Sequence, residues 1–330
     1  MYAIEPIGVV FPRDAGDVAA VVAAAGEAGV AVLPRGAGTS LAGQTVGHAV
    51  VMDFSRHMNR ILDLDPERRT ARVQPGVVQD QLNAAARTHG LVFGPDTSTS
   101  DRATLGGMIG NNSAGSHSVR YGMTIDHVQR LDVVLSDASR AAFAPLTEPE
   151  RAARASAATL DGRIHARLPG LLQRHRDAIS TGYPRFWRQS GGYRLDRLAA
   201  GPQFDLAKFV VGSEGTLVTV TEATVGLVPA PRHQVIAVGH FRSAQAAIEA
   251  TGDALACHPA AVELMDRMIL GLARTKIEYA ELTSLLTGDP GALLFVTFFG
   301  NTAAEALAGA DELQRLWARH GHAYHVLRAV

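Results

Sequence analysis

Three glycine-rich segments, far apart along the chain, constrain the fold most: PRGAGTSLAGQ at 34–44, TLGGMIGNNSAGSHSVRYG at 104–122 and VGSEGTLVTVTEATVGLVP at 211–229. In each, glycines stand with Ser, Thr or Asn beside β-rich sequence. Such a backbone can approach a phosphate or a flat ring closely, because no Cβ intervenes and main-chain amides are free to donate. Three of them in one chain point to a long ligand held along its whole length.

At 330 residues the chain exceeds the usual size of one domain, so two domains are expected. Hydrophobic residues at 47% and charged residues at 19% make an ordinary globular balance, neither disordered nor membrane-like. A formal net charge of −1 gives no reason to expect nucleic acid or an anionic membrane surface as the main partner. Lys208 and Lys276 are the only lysines, so arginine supplies nearly all the positive charge. The single cysteine, Cys257, excludes an internal disulfide framework and a cysteine-ligated iron–sulfur cluster within this chain, and reads as a small buried apolar residue. The opening MYAIEPIGVVFPRD lacks a basic and then apolar leader pattern, and the longest apolar stretch, VAAVVAAAG at 18–26, is too short to span a bilayer. A cytoplasmic protein with no integral membrane segment is expected; peripheral attachment at the inner membrane stays open.

The local signals alternate strand and helix. IGVVF at 7–11 reads as a strand, Asp14 as the cap of a helix that Gly29 ends, and VAVLP at 30–34 as the next strand, a βαβ unit leading into the first glycine loop. VVMDF, ILDLD and TARVQPG read as strands, 77–90 as a helix stopped by Gly90, and 127–145 as two strands turning at Ser136 and Asp137. Residues 147–179 look helical and arginine-rich, with breaks near Gly162 and Pro169 and the charges on a solvated face. Pro229 and Pro231 mark a domain boundary. Beyond them, strand and helix alternate again in a unit resembling the ferredoxin-like arrangement, closing on the strand AYHVLRAV.

Familiar nucleotide fingerprints fit the first loop poorly. After Gly36 and Gly38, Leu41 stands where a dinucleotide turn needs its third glycine, and no lysine is near for a triphosphate loop. A plain surface turn is the competing reading. Against it stand Thr39, Ser40, Gln44 and the amides from Arg35 to Leu41, donors with little added charge that suit a pyrophosphate. In the second segment Thr104, Gly106, Gly107, Asn111, Asn112 and Gly115 alternate with Met108 and Ile109, which read as core anchors. His117 reads as a hydrogen-bonded loop histidine, since nothing nearby completes a triad or a metal set, and Arg120 as a candidate partner for an anion.

Taken together, PRGAGTSLAGQ, GGMIGNNSAGSHSVRYGMTIDHV and GSEGTLVTVTEATVGLVP resemble the FAD-linked oxidase family, over nearly the whole chain. This family includes D-lactate, glycolate and D-2-hydroxyglutarate dehydrogenases and shares the fold of vanillyl-alcohol oxidase and p-cresol methylhydroxylase. The resemblance implies an α+β fold: an FAD-binding domain of two α/β subdomains over 1–230, then an incomplete ferredoxin-like cap over 231–330. It implies that Pro34, Arg35, Gly36, Ala37, Gly38, Thr39, Ser40 and Leu41, with Gln44, embrace the FAD pyrophosphate. Pro95, Asp96, Thr97, Thr104, Gly107, Asn112 and Gly115 would line flavin and ribose, Gly106 and Asn111 would belong to the same cofactor site, and Glu214, Gly215, Thr216 and Val220 would approach the adenine. Covalent relatives carry histidine in the first loop, where Ala37 and Thr39 stand here, so non-covalent FAD is implied.

The likeness is greatest to a bacterial subgroup whose flavin unit is fused to an iron–sulfur region, through WRQSGGYRLDRL at 187–198 and AAVELMDRMIL at 260–270, although its cysteine clusters are missing. In such enzymes a histidine-rich segment beyond the cap supplies metal ligands and the base. This chain stops before it, so the expectation is a fragment with no assigned catalytic residue and no metal. His322 and His325, three apart in a strand, would face opposite sides and share no ion. The implied activity is oxidation of a 2-hydroxy acid by hydride transfer to flavin N5, with electrons leaving to an iron–sulfur partner, an electron-transfer flavoprotein or a quinone. Two alternatives remain: a flavin-binding module without turnover in a larger or split complex, and an NADPH-dependent reductase of the enolpyruvyl-sugar type.

Overall fold

Asp14 opens the helix Ala15–Glu27 by accepting hydrogen bonds from the amides of Gly16 (2.7 Å) and Asp17 (3.0 Å), and Gly29 follows it in the left-handed region at φ +65°. The helix joins β1 (Gly8–Val10) to β2 (Val32–Arg35), yet these strands are not neighbours. β3 (Val50–Asp53), which follows the first glycine loop, lies between them and parallel to both. Val18 from the helix clusters with Met52, Phe54 and Met58, so the chain on both sides of the loop is anchored in one small core.

The computed structural model describes residues 3–329. They form two units. One comprises the chain through Gly115 together with Gly122–Pro229; the other comprises Ser116–Tyr121 together with the chain from Ala230.

In the first unit, β4 (Ile61–Asp65), β5 (Thr70–Val73), β7 (Val128–Val134), β8 (Arg140–Phe143) and β9 (Thr219–Gly226) build an antiparallel sheet in the order β4-β5-β9-β7-β8. Two short strands, β6 (Leu91–Val92) and β10 (Val228–Pro229), pair separately. Along β9 every second residue is buried, from Thr219 through Thr221 and Ala223 to Val225, the period-two pattern of a sheet with one face on the core. That core also takes Leu82 from the helix Gln79–Arg87 and Leu105, Met108 and Ile109 from the helix Leu105–Asn111.

The arginine-rich stretch forms helices Glu148–Ala155, Leu160–Arg174 and Arg176–Gly182. The first interruption falls at 156–159, rather than at Gly162 or Pro169. Thr159 restarts the helix by accepting from the Gly162 amide (3.1 Å), and Leu160, Ile164, Leu168 and Leu172, one apolar stripe, hold it against the core through Pro169. Nor are all its charges solvated: Arg151 reaches the His165 carbonyl (2.7 Å) and Arg154 the Ala142 carbonyl (2.6 Å). Lys208 is likewise turned inward, donating to the carbonyls of Ile125 (2.5 Å) and Val128 (2.7 Å), and burial depresses its pKa.

In the second unit, β11 (His233–Phe241), β12 (Ala261–Asp266), β13 (Ala292–Gly300) and β14 (His325–Ala329) form an antiparallel sheet in the order β12-β13-β11-β14. With helices Ala244–Glu249 and Thr251–Ala256 after β11 and Ala303–His320 after β13, this is the ferredoxin-like βαββαβ arrangement. Val235, Ala237, Phe241, Leu294 and Val296 pack with Leu313 and Trp317 of the helices. The alternate residues Val238 and Leu293 cluster instead with Leu270. The segment 116–121 belongs here: the His117 ring stacks on Phe299 at 5.0 Å, and the Arg120 guanidinium lies 5.9 Å from the rings of Tyr121 and Phe299.

Candidate functional site

The three glycine segments meet in the first unit. A Cβ added to Gly36 would stand 2.4 Å from Thr104 Oγ1 and 3.0 Å from Gly107 Cα, so the first and second segments touch with no room for a side chain. Thr104 is fixed there as the cap of the helix Leu105–Asn111, its hydroxyl accepting from the Gly107 amide at 3.3 Å. The third segment is pinned to the other end of that helix, the Gly212 and Glu214 amides donating to the carbonyls of Ile109 and Gly110, each at 2.9 Å. Glu214 (φ +53°) and Gly215 (φ +72°) both take left-handed backbone at this crossing.

Around the junction lies a cavity of about 270 Å³. The first loop contributes Pro34, Arg35, Gly36, Ala37, Gly38, Thr39, Ser40 and Gln44 to its wall. The second segment and the run before it contribute Thr97, Thr104, Gly106, Gly107 and Asn111, and the third contributes Glu214, Gly215 and Val220. Met108 and Ile109 are core residues and also form part of the apolar wall, beside Val218 and Val220.

Six residues singled out in the sequence lie outside the lining, each for a local reason. Leu41 projects into solvent at 86% exposure. The Pro95 carbonyl is taken by Gln79 Nε2 at 2.5 Å. Asp96 and Gly115 are packed on each other so tightly that a Cβ at Gly115 would fall 1.3 Å from the Asp96 carbonyl oxygen. Asn112 caps its helix in the left-handed conformation (φ 50°); its Oδ1 accepts from the Ile125 amide (3.0 Å) and its Nδ2 donates to the Gln189 carbonyl (3.3 Å). Thr216 Oγ1 donates to the Ser213 carbonyl at 2.6 Å and lies 2.9 Å from the Tyr193 hydroxyl.

The sequence reading missed Gln79. It is 1% exposed, and besides holding the Pro95 carbonyl it accepts from the Thr97 hydroxyl at 3.1 Å, fixing the 95–97 loop against the cavity. Its only sequence signal is a polar residue at the start of an amphipathic helix. Ser98 and Thr99 also line the cavity, and the hydroxyl-rich run PDTSTS at 95–100 could have flagged them.

Two buried side-chain atoms in this wall, Arg35 Nε and Gln44 Oε1, have no hydrogen-bond partner among the described residues. Unpartnered buried polar atoms are costly, so both call for a polar ligand. Burial raises the Glu214 pKa, partly offset by a hydrogen bond from Gln44. The cavity thus offers close backbone approach, hydroxyls and one guanidinium on one side and an apolar wall on the other. This suits an extended phosphate-bearing ligand with a flat ring.

Histidines group elsewhere. In the second unit His240 is fully buried, its pKa lowered by burial, with its ring 5.0 Å from that of His325. His322 precedes β14 rather than lying in it with His325. It stands beside His320 and Asp253, the group of metal-capable side chains found among the described residues.

Two families match the chain in succession: the FAD binding domain over residues 6–141, and the C-terminal domain of FAD linked oxidases over 230–327. D-2-hydroxyglutarate dehydrogenase of Pantoea ananatis (strain AJ13355) is 35% identical over 314 residues, covering 92% of this chain and 31% of that protein. Glycolate oxidase subunit GlcD of Bacillus subtilis (strain 168) is 32% identical over 273 residues, covering 82% of this chain and 47% of that one. The chain therefore spans about a third to a half of the length of these curated relatives. A solved structure of alkyldihydroxyacetonephosphate synthase, 17% identical, shares the fold with a TM-score of 0.64 over 97% of this chain and 52% of its own. Among the described residues no helix is long and apolar enough to cross a membrane.

Proposed function

Because the chain belongs to the FAD-linked oxidase family, whose cofactor is FAD, we propose that its first unit holds FAD without a covalent bond, as part of a dehydrogenase acting on a 2-hydroxy acid such as D-2-hydroxyglutarate, D-lactate or glycolate. One observation carries the reading: the three glycine segments enclose a single cavity, with Gly36 against Gly107 and the third segment pinned on the same short helix. Residues 1–230 would form the flavin-binding domain and 231–330 the part of the substrate domain present here.

The residues fit the cofactor by their chemistry. Arg35 Nε and Gln44 Oε1 are buried, polar and without partners, and Thr39, Ser40 and Thr97 add hydroxyls at the same wall. Arg35 provides positive charge for phosphate, and Gly36, Gly38 and Gly107 line the cavity without side chains of their own. Met108, Ile109, Val218 and Val220 exclude water from the apolar side. When bound, FAD supplies the acceptor for a hydride from the α-carbon of the hydroxy acid. The role of this chain's residues is to hold and orient it; no base is assigned. Electrons would pass on to an iron–sulfur partner, an electron-transfer flavoprotein or a quinone.

A second reading, a flavin-holding portion that turns over only within a larger protein, is favoured by the chain's 31% coverage of the dehydrogenase relative. Anaerobic addition of D-2-hydroxyglutarate, D-lactate or glycolate to the FAD-loaded chain separates the two. Bleaching of the flavin band supports the dehydrogenase, and bound FAD that none of them bleaches supports the second reading. Rapid bleaching by NADPH would instead refute both in favour of a reductase.

A further inference from the structure

We propose that Asp253, His320 and His322 form a site for a divalent transition ion of the Zn²⁺ class on the second unit. His320 Nδ1 lies 2.8 Å and His322 Nε2 3.7 Å from the same oxygen, Asp253 Oδ2, and the three donor atoms all lie within 4.8 Å of one another. Zn–N and Zn–O bonds near 2.0–2.1 Å set the edges of a tetrahedron at about 3.3 Å. These two separations bracket that edge and the third is no more than 4.8 Å, within reach of side-chain adjustment around an ion. Two imidazoles and one carboxylate suit borderline metals, and three protein donors leave a fourth position to water.

The backbone builds this cluster. His320 is the last residue of the helix Ala303–His320, and Gly321 reverses the chain in the left-handed conformation at φ +69°. The His322 amide then donates back to the Trp317 carbonyl at 3.0 Å, returning His322 to the helix end beside His320. Asp253 comes from the helix Thr251–Ala256, and the two helices are tied together where the buried Trp317 Nε1 donates to the Ala250 carbonyl at 3.1 Å. The donors therefore sit on a rigid base yet remain accessible, with side-chain exposures of 18%, 45% and 26% for Asp253, His320 and His322. A helix C-terminus also favours a cation. Without metal, His320 and Asp253 pair with each other.

The test uses the full chain after chelator treatment, titrated with Co²⁺ and followed by its visible d–d absorption, then displaced with Zn²⁺. The expected result is one Co²⁺ per chain, displaced by Zn²⁺, with a rise in melting temperature on adding Zn²⁺. His320→Ala/His322→Ala should weaken binding on the order of 100-fold and abolish that rise, since even outer partners of metal ligands are worth about 10- to 100-fold. Asp253→Asn, which keeps the shape, should weaken it at least about tenfold, while His89→Ala in the first unit should change nothing. Metal uptake unchanged in both cluster variants, or no uptake by the wild type below about 1 mM, would overturn the proposal.

Discussion

Replacing Gly36 by alanine tests the contact on which the cavity depends. The new methyl carbon would stand 2.4 Å from Thr104 Oγ1, about 1 Å inside ordinary contact, and 3.0 Å from Gly107 Cα. Rotating the hydroxyl away relieves the first clash but releases the Gly107 amide, a cap worth about 1 kcal/mol. The second clash is with backbone and is relieved only if one loop retreats by a few tenths of an ångström. Overpacking of this kind costs about 1–3 kcal/mol. If that cost falls on the geometry that receives the cofactor, the Kd for FAD rises about 5- to 150-fold. The assay is titration of the apoprotein with FAD, followed by flavin fluorescence, with a thermal melt of the apo form. Gly26→Ala is the control: nothing lies within 4 Å of its Cβ in the Ala15–Glu27 helix, so FAD binding should stay unchanged and stability rise by about 0.5–1 kcal/mol. A Gly36→Ala protein that binds FAD with wild-type affinity and melts unchanged would refute the reasoning.

Other perturbations follow from the same structure. Gly115→Ala places a Cβ 1.3 Å from the Asp96 carbonyl oxygen, a backbone collision that side chains cannot relieve, so little folded protein should be recovered in a solubility and circular-dichroism assay. Lys208→Met removes the donor to two inward carbonyls, and urea denaturation should show a loss of about 1–3 kcal/mol. Glu214 has its folded pKa raised by burial above the ordinary 4.5, so the folded state holds its proton more tightly than the unfolded one. The wild type therefore loses stability as pH rises from that ordinary range through the raised value. Glu214→Gln carries no such loss, and its melting-temperature advantage over wild type should be larger at about pH 7 than at about pH 4.

Much of the local structure could be read from the sequence because the deciding interactions are short-range. Asp14 and Gly29 bound their helix, and ILDLD is a strand over the residues read. What could not be read depends on residues distant in the chain. β3 enters between β1 and β2 only after the glycine loop has passed, and Pro169 stays inside a helix because a leucine and isoleucine stripe packs on a core assembled elsewhere. The cavity shows the same division. Its glycines announced themselves by composition, whereas Gln79 matters only through the loop it fastens, and Asn112 is committed to two backbone groups that folding brings to it. The grouping of Asp253 with His320 and His322 is not legible in the sequence, where His322 reads as a strand residue with His325, because it depends on the turn at Gly321 that sets His322 beside the helix end.

The central claim is that three separated backbone turns of the first unit together receive one FAD. Equilibrium dialysis of the folded chain, freed of bound nucleotide, against FAD tests it most directly. The account predicts uptake of one FAD per chain, with the yellow flavin band retained after gel filtration. A chain that is folded by circular dichroism and cooperative in its melt, yet takes up no FAD, would contradict it.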